Sequence, residues 1–220
     1  MISEKVKIIS TGSVGNAVVI NDKIMVDCGV SFKKLEGVYK DLQLILLTHI
    51  HSDHFNKTTI KKLSYERPTL RFACCNWLVK PLVDCGVNPK NIDVLEPNKS
   101  YILGKVIIIT PVELYHNVDN CGYKIQIGDK RIFYATDTYS LEGIIAKDYD
   151  LYLVESNFTE DSIKERIEAK KENHQYIYEY QAQENHLSKE KCDKWLLENM
   201  KESSEVIYLH GHVEREELCK

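Results

Sequence analysis

The string Thr48-His49-Ile50-His51-Ser52-Asp53-His54 places four potential metal ligands within six positions, three of them imidazoles. From this chain's own composition, an H-x-H-x-D-H string arises by chance on the order of 10⁻³ times. Side chains two apart at a strand end point to one side, so His49 and His51 can reach one cation together. The turn that follows carries Asp53 and His54 toward a second cation close by. Imidazole and carboxylate donors suit two divalent ions, Zn²⁺ first, with Mn²⁺ or Fe as alternatives. The blander reading is a solvated, histidine-rich loop. Two cations need more donors, and three candidates each stand just past a β-rich run. His116 follows 106–111, Asp137 follows 130–134, and His210 follows 206–209, with His212 two residues on as its rival.

The elements that must hold these residues are legible from apolar period and turn residues. Strands are expected over 6–10, 17–20, 23–27, 44–48, 70–74, 92–95, 100–103, 106–111, 122–127, 130–134, 151–155 and 205–209. Asn21-Asp22 and Gly128-Asp129 read as hairpin turns. Helices are expected over 31–40, over 56–67 with Asn56 as cap, over 76–85 closed by Gly86, over 141–146, and from the Ser188 cap to 199. The stretch 159–185 is densely charged and helical in pattern, with Tyr176, Tyr178 and Tyr180 alternating; it reads as a lid over a site or as an interface. Strands and helices mixed in both halves point to an α/β chain, two sheets packed together with helices outside.

Composition narrows the class further. The chain has 220 residues, 43% of them apolar, which favours a single domain over 1–220 with a sizeable core. A net charge of −4 provides no overall basic field, so any nucleic-acid contact must be local. Lys57, Lys61 and Lys62 with Arg71 either make such a local rim or are a solvated face. The longest apolar runs are too short to span a bilayer, and residues 1–10 read as a strand without a secretory h-region, so no membrane is expected and the setting is cytoplasmic. Seven cysteines without C-x-x-C spacing fit reduced thiols. Cys28, Cys74, Cys75 and Cys121 read as small buried residues, Cys28 with a redox-sensitive option.

The ordered series H-x-H-x-D-H, His116, Asp137, His210 resembles that of the metallo-β-lactamase-fold hydrolase superfamily. Within it the chain is most similar to the WalJ/YycJ-like branch, over nearly its whole length. Ser10-Thr11-Gly12-Ser13-Val14-Gly15-Asn16 is similar to that branch's S-G-S-x-G-N opening, and Val26-Asp27-Cys28-Gly29 to the superfamily's Asp-x-Gly segment. Glu155-Ser156-Asn157 is similar to its E-x-N, and His186-Leu187-Ser188 to its H-L-S. Asn117, Phe158 and Gly211-His212-Val213 depart from the branch pattern. The resemblance implies an αββα sandwich of two mixed sheets with the site at one edge. It implies one metal on His49, His51 and His116, a second on Asp53, His54 and His210, Asp137 bridging, and Asp27 orienting a ligand.

That arrangement implies hydrolysis by a hydroxide bridging the metals, which also stabilise charge on a phosphoryl oxygen. The substrate expected is nucleic acid, in exonuclease-like fashion, or a nucleotide phosphodiester including cyclic ones. Asp53 and His186 are the expected catalytic side chains, and Ser13 and Asn16 the expected substrate contacts in a glycine-bearing turn. His186 either protonates the leaving group or is merely the neighbour of the Ser188 cap. The three tyrosines either stack bases or pack a homodimer. Two other functions remain open: a thioester or lactone hydrolase on the same metals, and a non-catalytic metal-stabilised binding module.

Overall fold

In the computed structural model, which describes residues 2–104 and 106–211, two six-stranded sheets face each other with helices on both outer faces. The first contains β1 (Val6–Ser10), β2 (Ala17–Ile20), β3 (Ile24–Val26), β4 (Leu44–Leu47), β5 (Arg71–Cys75) and β6 (Ile92–Leu95), in that spatial order. The second runs β12-β11-β10-β9-β8-β7, from β7 (Tyr101–Leu103), β8 (Ile107–Leu114), β9 (Asn120–Ile127), β10 (Lys130–Ala135), β11 (Leu151–Glu155) and β12 (Glu205–Leu209). Each sheet begins with antiparallel hairpins and finishes in parallel strands, β3-β4-β5-β6 and β10-β11-β12. The β2–β3 hairpin turns on Asn21 and Asp22, both at positive φ as a two-residue primed turn requires.

Both faces of each sheet are covered, which is why the inner strands read as continuous apolar runs. In β4, Leu44 and Leu46 enter the core between the sheets, while Ile45 and Leu47 pack under the helices. In β11, Leu151 and Leu153 point inward, and Tyr152 and Val154 outward against Trp195 and Leu196. The outer layers are α1 (Phe32–Leu35), α2 (Lys57–Glu66) and α3 (Val79–Asp84) on one side, and α4 (Glu160–Glu172), α5 (Glu179–Asn185) and α6 (Lys189–Asn199) in the second half. Asn56 caps α2 by accepting from Thr59 N, and Ser188 caps α6 by accepting from Lys191 N.

Two helices differ from expectation. Residues 141–146 form turns instead of a helix, although Leu141 and Ala146 are buried. Gly143 adopts φ +78°, and the backbone of Ala146 is satisfied by Asn199 and Tyr152, so tertiary partners replace a helical ladder. The helix expected over 31–40 contracts to four residues, with turns from Glu36 on.

Candidate metal centre

Every expected donor stands at or just past the carboxyl end of a strand, along one edge of the sandwich. Thr48 and His49 follow β4, Asp27 follows β3, Asp137 follows β10, Glu155 ends β11 and His210 follows β12. His116 lies in the β8–β9 connection. Asp27, Asp137 and His210 hold left-handed backbone, φ 62°, 55° and 54°. Asp and His tolerate this region better than most residues, and strain of this kind gathers at functional sites. Gly29 lets the segment after β3 lie against the histidine loop: a Cβ there would overlap the Asp53 carbonyl. Cys28 N donates to His54 O, and Asn56 N to Cys28 O, on either side of that contact.

Hydrogen bonds fix which ring nitrogens are bare. Thr48 Oγ1 donates to Asp27 Oδ1 (2.9 Å) and sits 2.9 Å from His49 Nδ1, so His49 carries its proton on Nδ1. Asp27 Oδ2 takes His54 Nδ1–H at 2.6 Å. His116 Nδ1 faces the Asn185 carbonyl at 3.2 Å. Each of these three assignments leaves Nε2 as the bare nitrogen. His210 Nδ1 lies between Glu155 Oε1 at 3.2 Å and Asn157 Nδ2 at 3.1 Å. These nitrogens converge. His51 Nδ1 is 3.2 Å from both His49 Nε2 and His116 Nε2. Asp137 Oδ2 contacts His54 Nε2 and lies 3.6 Å from His49 Nε2, while its Oδ1 is 3.2 Å from His210 Nε2. Asp53 Oδ2 is 3.8 Å from His54 Nε2 and 4.0 Å from His210 Nε2.

The donor atoms therefore form two adjoining groups, His49-His51-His116 and Asp53-His54-His210, with His49, His54 and Asp137 forming a third that joins them. Lone pairs meet lone pairs here. Asp137 Oδ2 and His210 Nε2 are buried without a hydrogen-bond partner, a costly arrangement unless a cation lies among them. The same carboxylates dominate the electrostatics of these rings. Burial, then its neighbour His54, holds His49 far below the usual imidazole range. Burial opposes charge on His54 as well, but Asp137 and Asp27 outweigh it and raise it to about 10. Asp137 is held well below the usual carboxylate range: burial would raise it, and His54 and His210 overcome that. This is a negative, ligand-rich pocket fitted to divalent cations.

A family profile described as beta-lactamase superfamily domain matches residues 22–212. The chain belongs to the β-lactamase superfamily. It has the metallo-β-lactamase fold, and the superfamily is one of metal-dependent hydrolases. The chain is 25% identical over 237 residues to exodeoxyribonuclease WalJ of Streptococcus pneumoniae, covering 98% of this chain and 84% of that one. Among solved structures it is similar to the metallo-β-lactamase fold protein YhfI of Bacillus subtilis, with a TM-score of 0.69 and 18% identity over 96% of this chain and 88% of that one. It is also similar to the short form of human tRNase Z, with a TM-score of 0.68 and 15% identity over 94% and 92% of the two chains.

In this superfamily member the donor groups open onto a cleft of about 860 Å³ lined by Ser13, His51, Asp53, His116, Asp137, His186 and His210, among others. His186 Nδ1 is 2.6 Å from Glu155 Oε1 and 3.2 Å from Asp137 Oδ1, and its ring stacks on His210 with centroids 5.0 Å apart. Burial would lower His186, but Glu155 and then Asp137 raise it to about 9. Glu155 is fully buried and also accepts from Thr138 N and Leu187 N through Oε2. The sequence marked the E-x-N string without revealing that its Glu holds His186 and His210 together. Period two at the end of β11 was the available signal, since it puts Glu155 and Asn157 on one side; Asn157 Nδ2 donates to His210 O at 2.9 Å.

Other expected residues fall elsewhere. Ser13 lines the cleft, but Asn16 does not. It is buried and its amide is spent inside the loop, accepting from Gly12 N, donating to Asp53 O at 3.2 Å and lying 2.7 Å from His54 Nε2. The four cations read as a rim split apart: Arg71 pairs with Asp93 and Lys62 sits over the Phe32 ring, leaving Lys57 and Lys61 beside a smaller cleft with Ile50. Cys28, Cys74, Cys75 and Cys121 are all buried. Cys28 is fully buried, and that burial pushes its thiol far up, against the thiolate that oxidation would need. His212 lies outside the described residues. No helix among the described residues is long and apolar enough to cross a membrane.

Proposed function

We propose that this chain is a dinuclear metal-dependent phosphodiesterase acting on nucleic acid or nucleotide phosphodiesters. One divalent cation would be held by His49, His51 and His116, the other by Asp53, His54 and His210, with the Asp137 carboxylate between them. When bound, such cations acidify water and stabilise charge developing on a phosphoryl oxygen. The protein's own groups do the rest. Asp27 keeps Nε2 of His49 and of His54 bare by holding the proton of each ring on Nδ1, the first through Thr48. Glu155 fixes His186 through Nδ1, leaving Nε2 of a cleft-lining ring to pass a proton to the departing oxygen.

The observation that carries this reading is the Glu155–His186 pair beside Asp137. An acyl hydrolase needs the metal donors but has less use for a locked imidazole at the leaving-group side. The likeness to an exodeoxyribonuclease and to a tRNase supports a nucleic-acid substrate. Metal-loaded protein should hydrolyse bis(p-nitrophenyl) phosphate, and on a dinucleotide, whose alkoxide leaving group needs a proton, His186→Ala should lower kcat by about 10²- to 10⁴-fold with metal content unchanged. Activity confined to thioesters and lactones would remove the phosphodiesterase assignment, and full turnover of the dinucleotide by His186→Ala would remove His186 as its proton donor.

A further inference from the structure

The charged stretch 159–185 builds one wall of the metal cleft, and its residues are spaced along a helix face. Tyr178, Gln181, Ala182, Asn185 and His186 all line the cleft. They stand at i, i+3, i+4, i+7 and i+8, the spacing of one stripe on α5 and its two caps. His186 closes that stripe at the metal donors. At the opposite end the wall is completed by Lys170 of α4, the only Lys or Arg among the described residues lining the cleft. Its ammonium is fixed rather than trailing in solvent: Nζ lies 2.5 Å from Glu179 Oε1 and 3.3 Å from the Tyr178 ring centroid. Glu179 is fully buried, and its Oε2 has no hydrogen-bond partner. A buried carboxylate depends on a closely held cation, so Glu179 fixes where the Lys170 ammonium stands. The three N–H groups of an ammonium leave donors to spare beyond Glu179.

We propose that Lys170 is a specificity-determining contact for a second phosphate of the substrate, so that the preferred substrate is an oligonucleotide and not a cyclic or single-phosphate ester. This rests on the phosphodiesterase reading and deepens it. The seven residues of α5 separate Tyr178 from His186, eight steps of about 1.5 Å or about 12 Å along the axis. Held on Glu179 and the Tyr178 ring, at the end of the stripe remote from His186, the ammonium faces a phosphate of a neighbouring nucleotide and not the one at the metal donors. Between the two ends, Gln181 and Asn185 offer amides to the sugar and base edges, and Tyr178 offers a ring beneath the cation. The stripe acts as a ruler that a longer strand fills and a lone nucleotide does not.

The test is the length dependence of kcat/KM for metal-loaded protein on oligothymidylates of two to six residues, with bis(p-nitrophenyl) phosphate as a phosphodiester control outside the length comparison. Wild type should rise with length, and K170M should flatten the rise by about ten- to a hundredfold at the longest substrate. The salt slope of log(kcat/KM) for the longest strand should fall by about 0.7 in K170M, one phosphate contact on a single strand. K170R should keep most of the rise. Because K170M leaves Glu179 buried and unpaired, K170M/E179Q serves as the second variant and should be equally flat. A rise with length preserved in both variants overturns the proposal, as does a wild-type series that is flat from the start. Hydrolysis of bis(p-nitrophenyl) phosphate with a flat series leaves the phosphodiesterase reading intact; no hydrolysis of the control or of any member overturns both.

Discussion

Asp27 makes no contact with the open cleft, yet it sets the donors on both sides of the centre. One oxygen takes the Thr48 hydroxyl and amide, the other takes His54, and through Thr48 the His49 ring is fixed as well. Partners of this kind hold ligand basicity and orientation, and losing one weakens metal binding by about 10- to 100-fold. Asp27→Asn should therefore bind metal that much more weakly in competition with a chromophoric chelator, while its circular dichroism matches wild type. Equal retention of metal would show that Asp27 does not orient the donors. At this scale the sequence is unevenly informative. His49, His51, Asp53 and His54 stand out because they crowd into one short string. Glu155 does not, because its meaning lies in two histidines far along the chain that only folding brings to its oxygens. The surroundings of Asn16 were hidden for the same reason: its amide sits in a glycine-bearing turn, and folding sets it against Gly12 N and Asp53 O.

Among the elements, strand ends do the positioning and short caps hold the connecting segments to them. Ser188 illustrates the second. It caps α6 through Lys191 N, while the adjoining Leu187 N is tied to Glu155 and Lys189 N donates to Phe158 O. His186 is thus held from the start of a helix. Ser188→Ala should cost about 1 kcal/mol in urea unfolding, and should lower kcat more than it raises KM because it loosens His186. Unchanged stability would show that the cap contributes nothing. Strands that alternate between two apolar layers, as β4 and β11 do, were readable as buried runs because both faces demand apolar side chains. The segment 141–146 was not, since its apolar residues are buried by turns whose backbone partners, Asn199 and Tyr152, belong to other elements. Residues 159–185 were recognisably helical and charged, but which face meets the cleft depends on how α4 and α5 pack against the second sheet.

For the whole molecule, the two sheets share one inner core, and the edge where their parallel strands end carries the donors. The opposite edge is tied by polar contacts. Asp150 accepts from Arg131 N at 2.9 Å and Lys201 Nζ at 3.0 Å, and its carbonyl takes Glu205 N. Burial would raise Asp150, but the Arg131 amide and the lysines outweigh it and hold the carboxyl below its usual range. A depressed folded-state value means the contribution is present above the unfolded value, near 3.9, and fades as pH falls below it. Asp150→Asn should thus be less stable than wild type at pH 7 by about 1 kcal/mol, solvent screening keeping the figure small. The gap should close below about pH 4 in metal-free samples; a gap independent of pH would assign it to packing.

Seven side chains from four separate stretches of the chain should converge on two neighbouring cations. Anomalous X-ray diffraction from crystals of the metal-loaded protein tests it most directly. Two peaks are expected about 3.5–4 Å apart, one among His49, His51 and His116, the other among Asp53, His54 and His210, with Asp137 touching both. A single peak, or peaks bound elsewhere on the molecule, would contradict it.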